Sequence, residues 1–280
     1  MLDIIQRRKS IRSYIDRTLD SEIKSQIEQI LTSRQAGFFG HTARFVLVEK
    51  DTASKQEKVK LGTYGFIKGA RYFIAGAMQH GPLAEVDYGY IMEGIVLEMT
   101  RLGLGTCWLG GTFSRKEYAQ VLHLDESHWI PAILALGYAK EKRGAMDKLV
   151  RWGAKGDKRL HWSRLFFEGD FSKPLEREAA GDYAEVLEAV RIGPSASNKQ
   201  PWRILKDERG LHLILNRTPG YRKWSASTDL QQLDAGIAMC HFETSAKELG
   251  LKGRWEKLEM TPPPSNEDEL EYIVSWVVEG

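Results

Sequence analysis

Apolar residues Ile23, Ile27, Ile30 and Leu31 recur at helical spacing behind Asp20, so the pattern predicts a helix with Asp20 as its N-cap. Residues 43–48 (ARFVLV) and 71–78 (RYFIAGAM) are short apolar runs that predict buried strands. A long helical stretch covers 88–102 and stops at Gly103, where glycine takes the left-handed cap conformation readily. The run 103–111 (GLGTCWLGG) follows. Ser114 with Glu117 then forms a capping box for a short helix reaching Leu122, and 131–138 (PAILALGY) predicts a core strand.

From Lys140 to about Asp182 the texture changes to charged residues interleaved with Trp152, Trp162, Phe166, Phe167 and Phe171. A solvated linker would not carry five large aromatics, so this reads as an extended crossing segment. The first pattern then returns. Asp182 with Glu185 caps a helix through Val190, which Gly193-Pro194 stops. Strands are predicted at 202–205 and 211–215 with a turn at 207–210, a long helix from Leu230 to Leu249-Gly250, and a last strand at 272–278.

The two halves share landmarks. Leu102-Gly103-Leu104 and Trp108 match Leu249-Gly250-Leu251 and Trp255, each pair 147 positions apart, while Arg44-Phe45 aligns with Arg203-Ile204 at 159. Differing offsets mark an indel inside a divergent duplication. A length of 280 residues agrees, being about two ordinary domains. The expected division is residues 1–160 and 161–280.

Composition mainly excludes. Forty Lys and Arg against 38 Asp and Glu leave a net charge of +2, which argues against a bulk nucleic-acid binder yet permits a local phosphate pocket. Two cysteines, Cys107 and Cys240, make no disulfide framework, and seven scattered histidines lack ligand spacing, so no metal is expected. The start lacks a signal-peptide core and the apolar runs are too short for a bilayer span. The expectation is a soluble, cytoplasmic protein.

Three segments are candidates for chemistry. Arg7, Arg8, Lys9 and Arg12 with Ser10 form either a solvated charged face or a phosphate clamp of charge-assisted donors. The run 103–111 has a helix before it and a strand after it, the reverse of a dinucleotide fingerprint. A cap explains Gly103 but not Gly110-Gly111, a pair that would let a flat ligand approach the backbone. Residues 194–202 (PSASNKQPW) serve as a helix stop, but that role does not require Ser195, Ser197, Asn198 and Gln200 together.

RRKSIRSY near the start, PSASNKQPWR before a strand, and LGLGTCWLGG followed by ILALGY together resemble the FMN-dependent nitroreductase family. The chain is similar above all to the subgroup in which two nitroreductase-like halves are fused. The resemblance implies an α+β nitroreductase-like fold. Its two divergent halves would form a pseudo-dimer with central mixed or antiparallel sheets flanked by helices. A monomer with an internal pseudo-two-fold is expected, with room for further oligomerisation. The parts are divided unevenly. The first half keeps the Arg-rich start and Gly110-Gly111 but has 35–43 (QAGFFGHTA), with Phe39 at the place of Asn198; the second keeps 194–202. One flavin site per chain is therefore expected.

By the same resemblance, Arg8 and Ser10 would hold the FMN phosphate and ribityl end, helped by Lys158 and Arg159, with Lys9 adding charge nearby. Arg12 would lie near the N1/C2-carbonyl edge, where a cation stabilises the reduced ring. Leu109, Gly110 and Gly111 would face N5 and the C4 carbonyl through the backbone. Pro194, Ser195, Ala196, Asn198 and Gln200 would approach from the opposite half, and Tyr64-Gly65 would touch the pyrimidine. The implied reaction is ping-pong: NAD(P)H reduces the flavin, then a small oxidant such as a nitroaromatic or quinone takes the reducing equivalents, with no catalytic side chain nominated. Two other readings stay open: a flavin-binding, redox-responsive protein without turnover, and a duplicated interaction protein without flavin. Neither nucleic acid nor membrane is expected as a partner.

Overall fold

In the computed structural model, which describes residues 1–50, 66–140, 158–221, 227–259 and 269–279, strand burial separates edges from centres. Ala43–Glu49 (β1) alternates between buried and exposed positions, whereas Tyr72–Gln79 (β2) is buried at all but its last residue. The pairing agrees: β1 lies at an edge and β2 inside. Two units share the chain, residues 7–156 and residues 157–280 together with 1–6.

In the unit of residues 7–156, β1 pairs with β2, β2 with Ile133–Gly137 (β5), and β5 with Gly105–Leu109 (β3), all antiparallel. The strand order is β1-β2-β5-β3, and His128–Trp129 (β4) adds a short pairing to β2. Ser21–Ser33 (α2), Ala84–Arg101 (α3) and Arg115–Val121 (α4) complete it. Tyr14, Phe73, Cys107, Leu109, Phe113, Tyr118 and Ile133 belong to one buried cluster. The helix α3 is buried on almost every face, so its apolar residues do not confine themselves to one stripe.

The other unit holds a six-stranded sheet. Its elements are Phe166–Glu168 (β6), Asp170–Pro174 (β7), Trp202–Asp207 (β8), Gly210–Asn216 (β9), Gly253–Glu256 (β10) and Leu270–Val278 (β11), in the order β10-β11-β9-β8-β6-β7. Ala184–Arg191 (α5) and Leu230–Glu248 (α6) are its main helices. Leu2–Arg7 (α1) starts against this unit: the Met1 ammonium donates to Glu248 Oε1 at 2.6 Å and Leu2 N–H to Glu248 Oε2 at 2.5 Å. An aromatic cluster of Tyr183, Phe242, Trp255 and Trp276 fills part of its core.

The two units repeat one topology. Strands β8-β9-β11-β10 follow the order of β1-β2-β5-β3 with every neighbour antiparallel, and α6 joins β9 to β10 as α3 joins β2 to β3. Even the helix ends coincide. Gly103 (φ 77°) and Gly250 (φ 71°) take the left-handed conformation, and Leu104 N–H bonds Met99 O as Leu251 N–H bonds Ala246 O, both at 2.9 Å. The expected α+β fold of two related halves is present; β6 and β7 are additions to the second sheet, β6 lying parallel to β8.

Local details differ from the sequence reading. Asp20 and Ser114 occupy the N-caps of α2 and α4 in extended backbone, but neither side chain bonds to its helix. Asp182 is no cap, because Gly181–Tyr183 already forms a 3-10 turn and α5 begins behind Tyr183. Capping requires extended backbone so that the side chain can fold back onto the first N–H groups. Asp229 does this at α6, accepting from Gln231 N–H and Gln232 N–H. The helix α3 starts one turn before the predicted 88, behind a left-handed Leu83. In the crossing segment, Phe166 joins the sheet and packs on Trp162 at 4.5 Å; Trp152 lies outside the described residues.

Candidate functional site

The Arg-rich start is laid along a strand. Ser10 bridges Thr106 in parallel, and Ile11 N–H donates to Thr106 O at 2.7 Å, so this segment covers the outer edge of β3. Arg8 is buried and its Nε has no hydrogen-bond partner among the described residues. Its nearest acid is Glu93 of α3, fully buried, with Oε1 at 3.8 Å from that nitrogen. Burial pulls the Arg8 pKa down and the Glu93 charge opposes this; a guanidinium keeps its proton regardless. Glu93 also accepts from Trp108 Nε1 at 2.8 Å. Lys9 is exposed, while Ser10 and Arg12 are half-buried.

Beyond buried Leu109, β3 runs into Gly110 and Gly111. Arg115 Nη2 donates to Gly110 O at 2.7 Å and to Pro131 O at 3.1 Å, while its Nε donates to Ile130 O at 3.1 Å. In a trans peptide the carbonyl and the following N–H point opposite ways, so this grip aims the Gly111 N–H away from Arg115. A Cβ built on Gly111 would meet nothing within 4 Å. Nothing among the described residues crowds that Cβ position, which leaves room there for a flat group.

A second set of predicted residues gathers in the other unit. Arg159 Nη1 donates to Asn198 Oδ1 at 3.0 Å, Asn198 Nδ2 to Lys158 O at 2.8 Å, and Leu160 N–H to Gln200 Oε1 at 2.8 Å. Gln200 N–H donates to Ser195 Oγ at 2.9 Å, and Tyr221 OH to Ser197 Oγ at 3.2 Å. Ser197, Asn198 and Gln200 all have positive φ, 51°, 54° and 50°. Such conformations cost roughly 1–3 kcal/mol each and persist only where surrounding bonds over-determine them. The hydrogen bonds above, behind half-buried Pro194, supply that determination.

Lys158 and Arg159, expected at a phosphate end, thus share one hydrogen-bonded patch with Asn198 and Gln200. Arg8, Lys9, Ser10, Arg12, Leu109, Gly110 and Gly111 belong to the unit of residues 7–156. Tyr64 and Gly65 lie outside the described residues. Three further residues were not singled out by the sequence reading: Glu93, Arg115 and Asp234, the last accepting Ala196 N–H at 2.9 Å. Asp234 had a sequence signal, since it stands 147 positions after Asp87, the offset of the shared helix ends.

The expected flavin finds suitable groups here. A buried cation with an unpartnered N–H suits a phosphate, and an open glycine face suits a ring. The first set consists of donors, cations and an oriented peptide, which bind and stabilise negative charge, while the second mixes donors with acceptors.

A family model described as "Putative TM nitroreductase" matches residues 1–246. Among solved structures, a "putative nitroreductase" from Thermotoga maritima is similar at 18% identity and TM-score 0.62, covering 99% of this chain and 93% of its own. An FMN-dependent nitroreductase from Clostridium difficile is 22% identical, with TM-score 0.41, over 52% of this chain and 91% of its own. A protein from Bacteroides thetaiotaomicron, described as a "Putative NADH dehydrogenase/NAD(P)H nitroreductase", is 22% identical with TM-score 0.41, over 51% and 88%. No curated protein sequence matches the chain. Among the described residues no helix is long and apolar enough to cross a membrane.

Proposed function

The chain belongs to this nitroreductase family, matched over residues 1–246, and from that premise we propose that it is an FMN-dependent NAD(P)H oxidoreductase acting on a small oxidant such as a nitroaromatic or quinone. The observation that carries the reading is the use of one strand for two tasks. Ser10 is bridged to Thr106, and the same strand leads into Gly110-Gly111, whose peptide Arg115 orients. About 13 Å of extended chain separates these points, a span for a ring with a sugar-phosphate tail.

Bound FMN would supply hydride acceptance from a nicotinamide and its passage to the oxidant. Arg8, Ser10 and neighbouring Lys9 would hold the phosphate end, where the unpartnered Arg8 Nε gains an acceptor. The Gly111 N–H would donate to the ring edge and Arg12 would place positive charge beside it, raising the reduction potential. In the other unit, the loop of Pro194, Ser195, Ala196, Asn198 and Gln200 is a second candidate set of FMN-facing groups, with Arg159 fixing the Asn198 amide.

The test is spectroscopic. Purified protein, or apoprotein given FMN, is expected to show bound-flavin absorbance that NADH or NADPH bleaches under anaerobic conditions and a quinone restores. Protein that takes up no FMN sinks the cofactor assignment. Flavin that binds but stays oxidised with either nicotinamide favours the non-catalytic reading instead.

A further inference from the structure

Asp234 on α6 and Asp87 on α3 stand 147 positions apart and do the same kind of work. Both are buried, and both accept backbone N–H groups from the loop that precedes the first strand of their unit's repeated topology. Asp87 Oδ1 accepts Phe39 N–H at 2.9 Å and its Oδ2 accepts His41 N–H at 3.0 Å. Asp234 Oδ1 accepts Ala196 N–H at 2.9 Å, but its Oδ2 is buried without a partner among the described residues.

The two loops are wired differently: Gly37 N–H bonds His41 O at 2.9 Å and Asn198 N–H bonds Ser195 O at 3.0 Å, and one substitution contributes to the difference. At the loop offset of 159, His41 corresponds to Gln200 and Ala36 to Ser195. Alanine offers no acceptor, so in the first loop the His41 N–H goes to the aspartate. Ser195 does offer one, and its Oγ takes the Gln200 N–H at 2.9 Å. The second loop is therefore held by Asp234 at its beginning and closed on itself by Ser195 at its end. Three left-handed residues lie between or at these points.

We propose that Asp234 is the positioning residue of the loop 194–200, anchoring the Ala196 N–H so that extended Ser195 and left-handed Asn198 and Gln200 are presented to the flavin, while Asp87 anchors, through Phe39 and His41, a loop that holds none. The inference rests on the assignment of this loop to FMN. Burial, reinforced by the charge of Asp229 and opposed by the Ala196 N–H, pushes the Asp234 carboxyl well above the usual range. Anchoring therefore needs only a carbonyl-type acceptor, and asparagine can replace the acid.

The experiment compares Asp234→Ala, Asp234→Asn and Asp87→Ala with the unaltered full chain. It reads FMN dissociation constant by fluorescence quenching, apoprotein melting temperature, and hydrogen exchange at Ala196. Losing a buried anchor is expected to weaken FMN by roughly tenfold in Asp234→Ala. Asp234→Asn should stay within about threefold and keep Ala196 protected. Asp87→Ala should lower the melting temperature comparably with FMN affinity unchanged. Equal FMN losses in both alanine variants, or none in Asp234→Ala, overturn the proposal. If the unaltered chain binds no FMN, the cofactor assignment falls; Ala196 exchange that is identical in all variants then overturns the anchor as well.

Discussion

Arg115 holds the Gly110 carbonyl at 2.7 Å and thereby sets the plane of the peptide whose N–H belongs to Gly111. The contact is only partly exposed, and burial lowers the Arg115 pKa. A charge-assisted bond of this kind both orients the peptide and polarises its N–H. Arg115→Met leaves the carbonyls of Gly110, Ile130 and Pro131 without this donor. The expected outcome is a loss of about 1–3 kcal/mol in stability by urea unfolding, and FMN bound about tenfold more weakly with a lowered midpoint potential. Unchanged affinity and potential together would remove the oriented peptide from the site.

Asn198→Phe copies the residue at position 39 of the first half. It removes the acceptor of Arg159 and the donor to Lys158 O. Asn198 is left-handed at φ 54°, as Phe39 is not, so the variant should keep the fold at a stability cost of roughly 1–3 kcal/mol. FMN retention is expected to fall by about tenfold or more while circular dichroism stays as in the parent. Full flavin content in this variant would count against the placement of the second candidate set.

Asp234 also makes a pH prediction. Its folded pKa is raised by burial, so the folded state binds a proton that the unfolded chain releases near pH ~3.9. Its stabilising contribution is then complete below that value and is lost as pH rises through the folded pKa. Asp234→Asn removes the titration. Its melting temperature relative to the parent should improve steadily from about pH 4 toward neutrality. A constant difference across that window would show that the carboxyl does not hold its proton.

The aromatic cluster predicts where the second unit's stability lies. Trp276 is 1% exposed, packs on Trp255 and Phe242 at 5.2 and 5.4 Å, and donates its indole N–H to Tyr183 OH at 3.1 Å. Trp276→Ala should cost about 3–5 kcal/mol by denaturant unfolding, since the vacated volume exceeds what neighbours can fill. A cost under about 1 kcal/mol would mean the cluster collapses freely.

Much of this was legible along the chain, for local reasons. Apolar runs marked β1, β2 and β5, and Gly103 and Gly250 marked helix ends, because burial period and left-handed backbone are properties of neighbouring residues. The 147-residue spacing signalled two related halves, and the matching strand orders bear it out. The Arg-rich start, the glycine pair and the Pro-Ser loop stood out by composition.

Tertiary structure alone decided the rest. No periodicity states that β6 joins β8, that α1 fastens to Glu248, or that Arg159 reaches Asn198 across 39 residues. Nor could composition show that the Gln200 N–H goes to Ser195 Oγ while Asp234 Oδ2 lies buried without a partner among the described residues. Sequence specifies each segment's own preferences; which distant groups share a bond is settled only when burial forces every polar atom to find a partner.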